Sequence, residues 1–219
     1  MKGLAKHTAA IIPVISKLEC IKPYVLVGGT ALSLQLGTRL SEDLDFMSWR
    51  STKNESREVD ISAIRKELEA TGLLESFDIL DINHIEAIVG SVKVSFYASP
   101  NRSPVKKIIP LTGNLRMADK TSIGAMKMEV LLRRSKFRDY YDIYSLLEAG
   151  EDLFEMMDIA LKYSGHRLKS KNLQSLLTNS KRFIIEDKFK ELEPVYDISP
   201  TDIENKLRDV ILAGRANQQ

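Results

Sequence analysis

The stretch YVLVGGTALSLQLGTRLSEDLDFMSW, residues 24–49, decides the fold. Its first four residues are aromatic and aliphatic, two of them β-branched, and stop at Gly28-Gly29, which reads as a buried strand ended by a turn. Thr30 is positioned to cap a helix over ALSLQL, and Gly37 stands where a left-handed glycine would close it. The span DLDFMSW, 43–49, then alternates polar and apolar as a second strand does. On a strand, residues two apart share a face, so Asp43 and Asp45 project together while Leu44 and Phe46 turn to the core. Two carboxylates that close repel unless a cation or proton lies between them. Hard divalent ions such as Mg²⁺ or Mn²⁺ take oxygen ligands and are shared between carboxylates and substrate phosphates. The diglycine supplies the complementary half, because backbone N–H groups at a helix start can approach a triphosphate closely. Arg39 and Ser41 lie on the approach to the aspartates and could add phosphate contacts. A Gly-Gly turn is ordinary by itself, and so is an Asp-x-Asp on a solvated edge. Their conjunction points to a nucleotide or metal site.

Outward from this span, the first half mixes strands and helices. VDISAIRKELEATG reads as a helix with Ile61, Ile64 and Leu68 on one stripe and Gly72 at its end. FDILDI, HIEAIVG and SVKVSFYA read as an antiparallel meander turning at Gly90. SPNRSPVKKIIPLTGN, 99–114, is rich in Pro, Ser and Asn and reads as a linker or long loop. From about residue 117 the spacing becomes helical through TSIGAMKMEVLLRR, RDYYDIYSLLEAG, EDLFEMMDIALKYS, NLQSLLTNSKRFI and SPTDIENKLRDVILAG, the last closed by Gly214. The expected organisation is an α+β domain over 1–115 followed by a helical domain over 116–219.

Composition narrows the function classes. Of 219 residues, 43% are hydrophobic and 28% charged, and the formal net charge is only +2. No global field drives such a chain onto nucleic acid. The single cysteine, Cys20, rules out an internal disulfide framework. The histidines, His7, His84 and His166, have no metal-ligand spacing. The N-terminal residues read as a short amphipathic helix rather than a signal peptide, and no segment is long enough to span a bilayer. The expected location is the cytoplasm.

Three stretches resemble one family. LVGGTALSLQLGTRLSEDLDF, VKVSFY and AMKMEVLLRRSKFRDYYDIYSLL are similar to the AbiEii/AbiGii-type toxin nucleotidyltransferases, within the DNA-polymerase-β-like nucleotidyltransferase superfamily. The resemblance covers about residues 24–147. It implies a polymerase-β-like domain with a mixed sheet, followed by a C-terminal helical bundle. Gly28, Gly29, Asp43 and Asp45 fall on the family's glycine and metal-carboxylate positions. Lys127 matches a helix lysine, and Arg138, Asp139 and Asp142 match a following (R/K)DxxD segment. The resemblance thus implies Asp43 and Asp45 as metal ligands and Gly28, Gly29, Lys127 and Asp142 as nucleotide contacts, to which Thr30 at the helix start, Arg39 and Ser41 on the approach to the aspartates, and Lys93 on the face of Ser95 are added from their positions. Asp139 joins the two aspartates as a candidate catalytic residue, the base. It further implies an NTP as substrate, an RNA (such as tRNA) or a protein as acceptor, and a cognate antitoxin as partner.

One position departs from the superfamily. A third carboxylate is expected in VKVSFY, and Ser95 stands there. Asp139 or Asp142 could take over, or Asp78, Asp81 or Glu86 could reach in from a neighbouring strand. The chain could instead bind nucleotide with little turnover, as a degenerate nucleotidyltransferase acting as a nucleotide- or protein-binding module. A small-molecule nucleotidyltransferase of antibiotic-modifying type is a third reading, for which the sequence supplies no acidic acceptor pocket. Each helical residue also has a plain structural reading. Lys127 lies at the edge of an apolar stripe where lysines commonly snorkel. Asp139 and Asp142 share a helix face and could pair with Arg134, Lys136 or Arg138. The basic run Arg133, Arg134, Lys136 and Arg138 reads as a solvated face or as a surface that steers a polyanion.

Overall fold

The computed structural model describes residues 2–50, 58–165 and 167–216. It divides into two compact units, Met1–Asp119 and Lys120–Gln219. The first contains α1 (Lys6–Ile15), β1 (Val25–Val27), α2 (Gly28–Leu36), β2 (Leu44–Arg50), α3 (Ile61–Ala70), β3 (Leu74–Asp81), β4 (His84–Val89), β5 (Val92–Arg102), β6 (Ile108–Thr112) and β7 (Leu115–Ala118). Its strands form one seven-stranded sheet in the order β3-β4-β5-β2-β1-β7-β6. The sheet is mixed: β2 runs antiparallel to β1 but parallel to β5, and β7 runs parallel to β1.

The two faces of the sheet differ sharply. Leu44 and Phe46 of β2 register with Val94 and Phe96 of β5, which register in turn with Ala87 and Ile85 of β4. All six are fully buried, together with Ile11, Ile12 and Ile15 of α1 and Ile64 and Leu68 of α3. Phe46 and Phe96 stack with ring centroids 5.1 Å apart, and Tyr24 meets the Phe96 ring edge-on. The pleat sends the alternate residues to the other face. There Asp45, Met47, Lys93, Tyr97, His84 and Glu86 remain half-buried. Asp60 starts α3 by accepting a hydrogen bond from the Ala63 N–H, and Gly72 leaves it at φ +69°. The β4–β5 hairpin turns through Gly90 and Ser91, both left-handed (φ +54° and +62°), as a two-residue turn matched to strand twist requires.

The expected linker over 99–114 is not a linker. Its residues supply the end of β5, all of β6 and the turn into β7. Pro110 is tolerated in β6 because this is an outermost strand, where one neighbour is missing.

The second unit holds α4 (Lys120–Val130), α5 (Phe137–Glu148), α6 (Leu153–Tyr163), α7 (Ser170–Leu177) and α8 (Pro200–Ala216), with two short 3₁₀ turns before α8. Asp152 caps α6 by accepting from the Phe154 and Glu155 N–H groups. Around α5, Tyr140 stacks on Phe183, and Phe137 and Tyr141 both meet Phe189 edge-on. Gly214 was expected to close the last helix, yet α8 continues to Ala216. The glycine is needed there for space, since a side chain would fall on the Phe154 ring. Gly124 has the same role between α4 and α6, where a side chain would run into Met156 and lie 2.9 Å from Leu146. Gly124→Val should therefore overpack this contact and lower stability by about 1–3 kcal/mol, read by urea unfolding. An unchanged midpoint would mean that the two helices can part at no cost.

Candidate nucleotide and metal site

The site begins at the end of β1. Helix α2 starts directly at Gly28, with Val27 as its N-cap and no side-chain cap. Gly28 has φ +69°, a left-handed conformation that favours glycine. A side chain at that position would also begin 2.6 Å from Asp45 Oδ2. The glycine is thus required twice, by the bend and by the carboxylate facing it. Thr30, expected as the cap, lies two residues inside the helix and is fully buried. Its hydroxyl donates to the Asp43 carbonyl and lies 2.8 Å from the Ser41 hydroxyl. It fixes the chain ahead of β2 instead of satisfying the helix start.

Arg39 is buried to 4% exposure, with its guanidinium donating to the Leu40 carbonyl at 2.9 Å. A side chain on Gly29 would begin 2.7 Å from Arg39 Nη2 and 3.1 Å from Ser41 Oγ. Arg39 and Ser41 therefore brace the diglycine bend from the α2–β2 loop. The N-terminal segment clamps that loop in turn. Ser41 exchanges backbone hydrogen bonds with Gly3 and Ala5, and Thr8 donates to the Glu42 carbonyl at 2.7 Å. These clamps have no local sequence signal, because they join residues more than thirty positions apart and each ends on a backbone atom of Ser41 or Glu42.

Asp45 sits opposite Val27 on one side and Ser95 on the other. The Ser95 hydroxyl donates to Asp45 Oδ1 at 2.7 Å. The row continues on the same face, with Glu86 opposite Ser95 and Asp78 opposite Glu86. Glu86 is two strands from Asp45, about 10 Å, and its carboxylate is held by Lys93 at 2.6 Å. Lys93 is correspondingly engaged rather than presented alone. Asp81 closes the β3–β4 hairpin opposite His84, farther along the same edge. Among the described residues no three His, Cys, Asp or Glu side chains are grouped as a complete ligand set. Asp43 immediately precedes β2 and Asp45 lies within it, and both carry the carboxylate oxygens that a hard divalent ion takes. The Asp45 Oδ2 atom lies against the backbone of Gly28, where a side chain would collide with it.

In the helical unit, Lys127, Asp139 and Asp142 are brought together and buried. Lys127 Nζ lies 3.1 Å from Asp139 and 2.6 Å from Asp142. Arg134 donates to both oxygens of Asp139, at 2.8 and 3.0 Å. Burial pushes the Asp139 carboxyl up, but the Lys127 and Arg134 charges and hydrogen bonds outweigh it and hold the group well below the usual carboxylate range. A carboxylate that acidic, with both oxygens occupied, is a poor proton acceptor.

The family described as "Nucleotidyl transferase AbiEii toxin, Type IV TA system" matches residues 15–209. The chain belongs to this family. It is an AbiEii nucleotidyltransferase. An uncharacterised protein of Aquifex aeolicus (strain VF5) is 23% identical over 218 residues, covering 96% of this chain and 99% of that protein. A Helicobacter pylori structure, provisionally assigned as a nucleotidyltransferase, shares the fold with a TM-score of 0.50 at 16% identity, over 94% of this chain and 93% of that one. JHP933 from the same organism superposes with a TM-score of 0.47 at 18% identity, over 99% of this chain and all of that one.

The basic run of this AbiEii protein is more neutralised than its sequence suggests. Arg133 pairs with Glu129, Arg134 with Asp139, and both Lys136 and Arg138 with Glu186. Glu129 went unremarked in the sequence, yet it is buried and also receives Arg167 from the turn after α6. No helix among the described residues is long and apolar enough to cross a membrane.

Removing one partner from a buried ion network leaves uncompensated charge and costs about 3–5 kcal/mol. Lys127→Met should therefore destabilise the protein by that amount in urea unfolding at neutral pH, and adding Asp142→Asn should recover part of it. A single variant as stable as the parent would show the network to be dispensable. The sign with pH follows from the depressed Asp139 carboxyl. Its stabilising contribution is complete above the ordinary aspartate value of about 3.9 and is lost as pH falls toward the lower folded value. Acid unfolding should accordingly begin at higher pH in Arg134→Met than in the parent.

Proposed function

We propose that this nucleotidyltransferase moves an NMP from an NTP to a hydroxyl of an RNA or protein acceptor, with Mg²⁺ or Mn²⁺ held by Asp43 and Asp45. The observation that carries the reading is the approach of Asp45 Oδ2 to the side-chain-free Gly28 at the start of α2. A divalent ion supplies charge neutralisation for the phosphate tail and polarisation of the attacking and leaving oxygens. The chain's own groups do the rest. The N–H groups of Gly28 and Gly29, at the positive end of α2, bind the phosphates. Thr30 keeps Asp43 in place through its carbonyl, and Arg39 and Ser41 hold the bend rigid from behind. Lys93 is a phosphate contact only if it leaves Glu86. In the helical unit, Lys127 and Asp142 tie α4 to α5, and Asp139 is assigned to that clasp instead of to proton abstraction.

The family supports an antitoxin as partner and growth inhibition in its absence. A second reading is favoured by one observation: the third carboxylate position is a serine whose hydroxyl engages Asp45. In that reading the fold binds nucleotide with little turnover. Incubating purified protein with Mg²⁺, each α-labelled NTP, and RNA or protein extracts separates the two. Transfer of label to an acceptor is expected, with Asp43→Ala and Asp45→Ala reduced to background. Label that persists in Asp43→Ala would remove the metal assignment, and nucleotide binding with no transfer would favour the second reading. Gly28→Ala should impair NTP binding as strongly as Asp45→Ala, because its methyl meets the Asp45 carboxylate. Undiminished NTP affinity in that variant, measured by calorimetry, would count against the diglycine as the phosphate cradle.

A further inference from the structure

Ser95 stands directly beside Asp45 in the parallel β2–β5 pair and is itself buried to 8% exposure. Its hydroxyl donates to Asp45 Oδ1 at 2.7 Å, while Oδ2 is the atom that faces Gly28. The two oxygens of one carboxylate thus have separate surroundings, one hydrogen-bonded inside the sheet and one facing the bend. The terminal torsion of an aspartate is broad, so a fixed hydrogen bond is what selects one orientation. The next acid on the same face, Glu86, is opposite Ser95 but tied to Lys93 at 2.6 Å, with His84 at 3.7 Å. It is not free to turn toward Asp45 without giving up that pair. A carboxylate at position 95 would place a further charge against Asp45, where a second cation would be needed to offset it. A hydroxyl brings no charge and occupies one acceptor site of Oδ1.

We propose that Ser95 is a positioning residue: it turns Asp45 Oδ2 toward the Gly28-Gly29 bend and confines the acidic pair to a single tightly held divalent ion. The inference rests on the reading of Asp43 and Asp45 as the metal ligands. Groups that hydrogen-bond a metal ligand typically account for about 10–100-fold in metal affinity.

The test uses Mn²⁺ alone, titrated into the full-length protein and followed by electron paramagnetic resonance. The parent should bind one tight Mn²⁺ per chain. Ser95→Ala should bind it about 10–100-fold more weakly, with an unchanged unfolding midpoint, and Ser95→Thr, which keeps the hydroxyl, should retain the parental affinity. Ser95→Asp should take up a second ion. Equal affinity in Ser95→Ala, two tight ions in the parent, or no second ion in Ser95→Asp would each overturn the proposal while leaving the metal ligands standing. A parent that binds no Mn²⁺, or binding that survives Asp43→Ala, would instead overturn the metal assignment beneath it. Should Ser95→Ala fail to fold, the Ser95→Thr and Ser95→Asp titrations decide the question by themselves.

Discussion

The alternation of β2 from Leu44 to Ser48 is the constraint on which the candidate site depends. Leu44 and Phe46 are fully buried between β1 and β5, and Phe46 is stacked on Phe96. A register slip of one residue would send both into water and Asp45 into the core. Burial of two large apolar side chains is worth about 1.5–3 kcal/mol each, and an unpaired buried carboxylate costs several more. The apolar residues therefore hold Asp45 on the open face far more firmly than any contact of its own. Everything else at the site adjusts to that register, including the glycine opposite and the serine beside it.

The two units handle charge in opposite ways. In the sheet unit, Asp45 faces a side-chain-free bend and accepts a neutral hydroxyl, which leaves its charge available. In the helical unit, Lys127, Asp139 and Asp142 neutralise one another in a buried network that the exposed Arg134 joins from the surface. Such networks rarely add net stability over apolar packing, but they penalise any arrangement that separates the partners. The first arrangement suits binding a cation with a phosphate tail. The second suits holding α4 and α5 in one relative geometry. Both motifs match the same family, yet their physical roles differ.

Several features were legible because their signals are local. The diglycine, the Gly37 helix end and the meander turning at Gly90 are written in adjacent residues, and the structure forms each of them, whereas β2 begins at Leu44 and takes in Asp45 but not Asp43. The strands of 99–114 were hidden because proline and serine composition outweighed the short alternation of IIPLT, and only the outermost place of β6 makes Pro110 tolerable. Thr30 had the right chemistry for a cap but not the right place, since the chain enters α2 already at Gly28. The basic run looked cationic because its partners, Glu129 and Glu186, are supplied by α4 and by a distant loop.

The sequence by itself determined that Gly28, Gly29, Asp43 and Asp45 fall within one strand–turn–helix–strand span. Periodicity of two or of 3.6 is enough to sort side chains onto faces, and glycine pairs mark where backbone can approach a ligand. Only the tertiary structure decided which carboxylates remain available and which are consumed. That choice depends on strand order and helix packing, which set Ser95 beside Asp45, Lys93 on Glu86, and Lys127 between Asp139 and Asp142. Such neighbours are brought together by burial of apolar surface, a non-directional force that leaves no mark on the polar residues it juxtaposes.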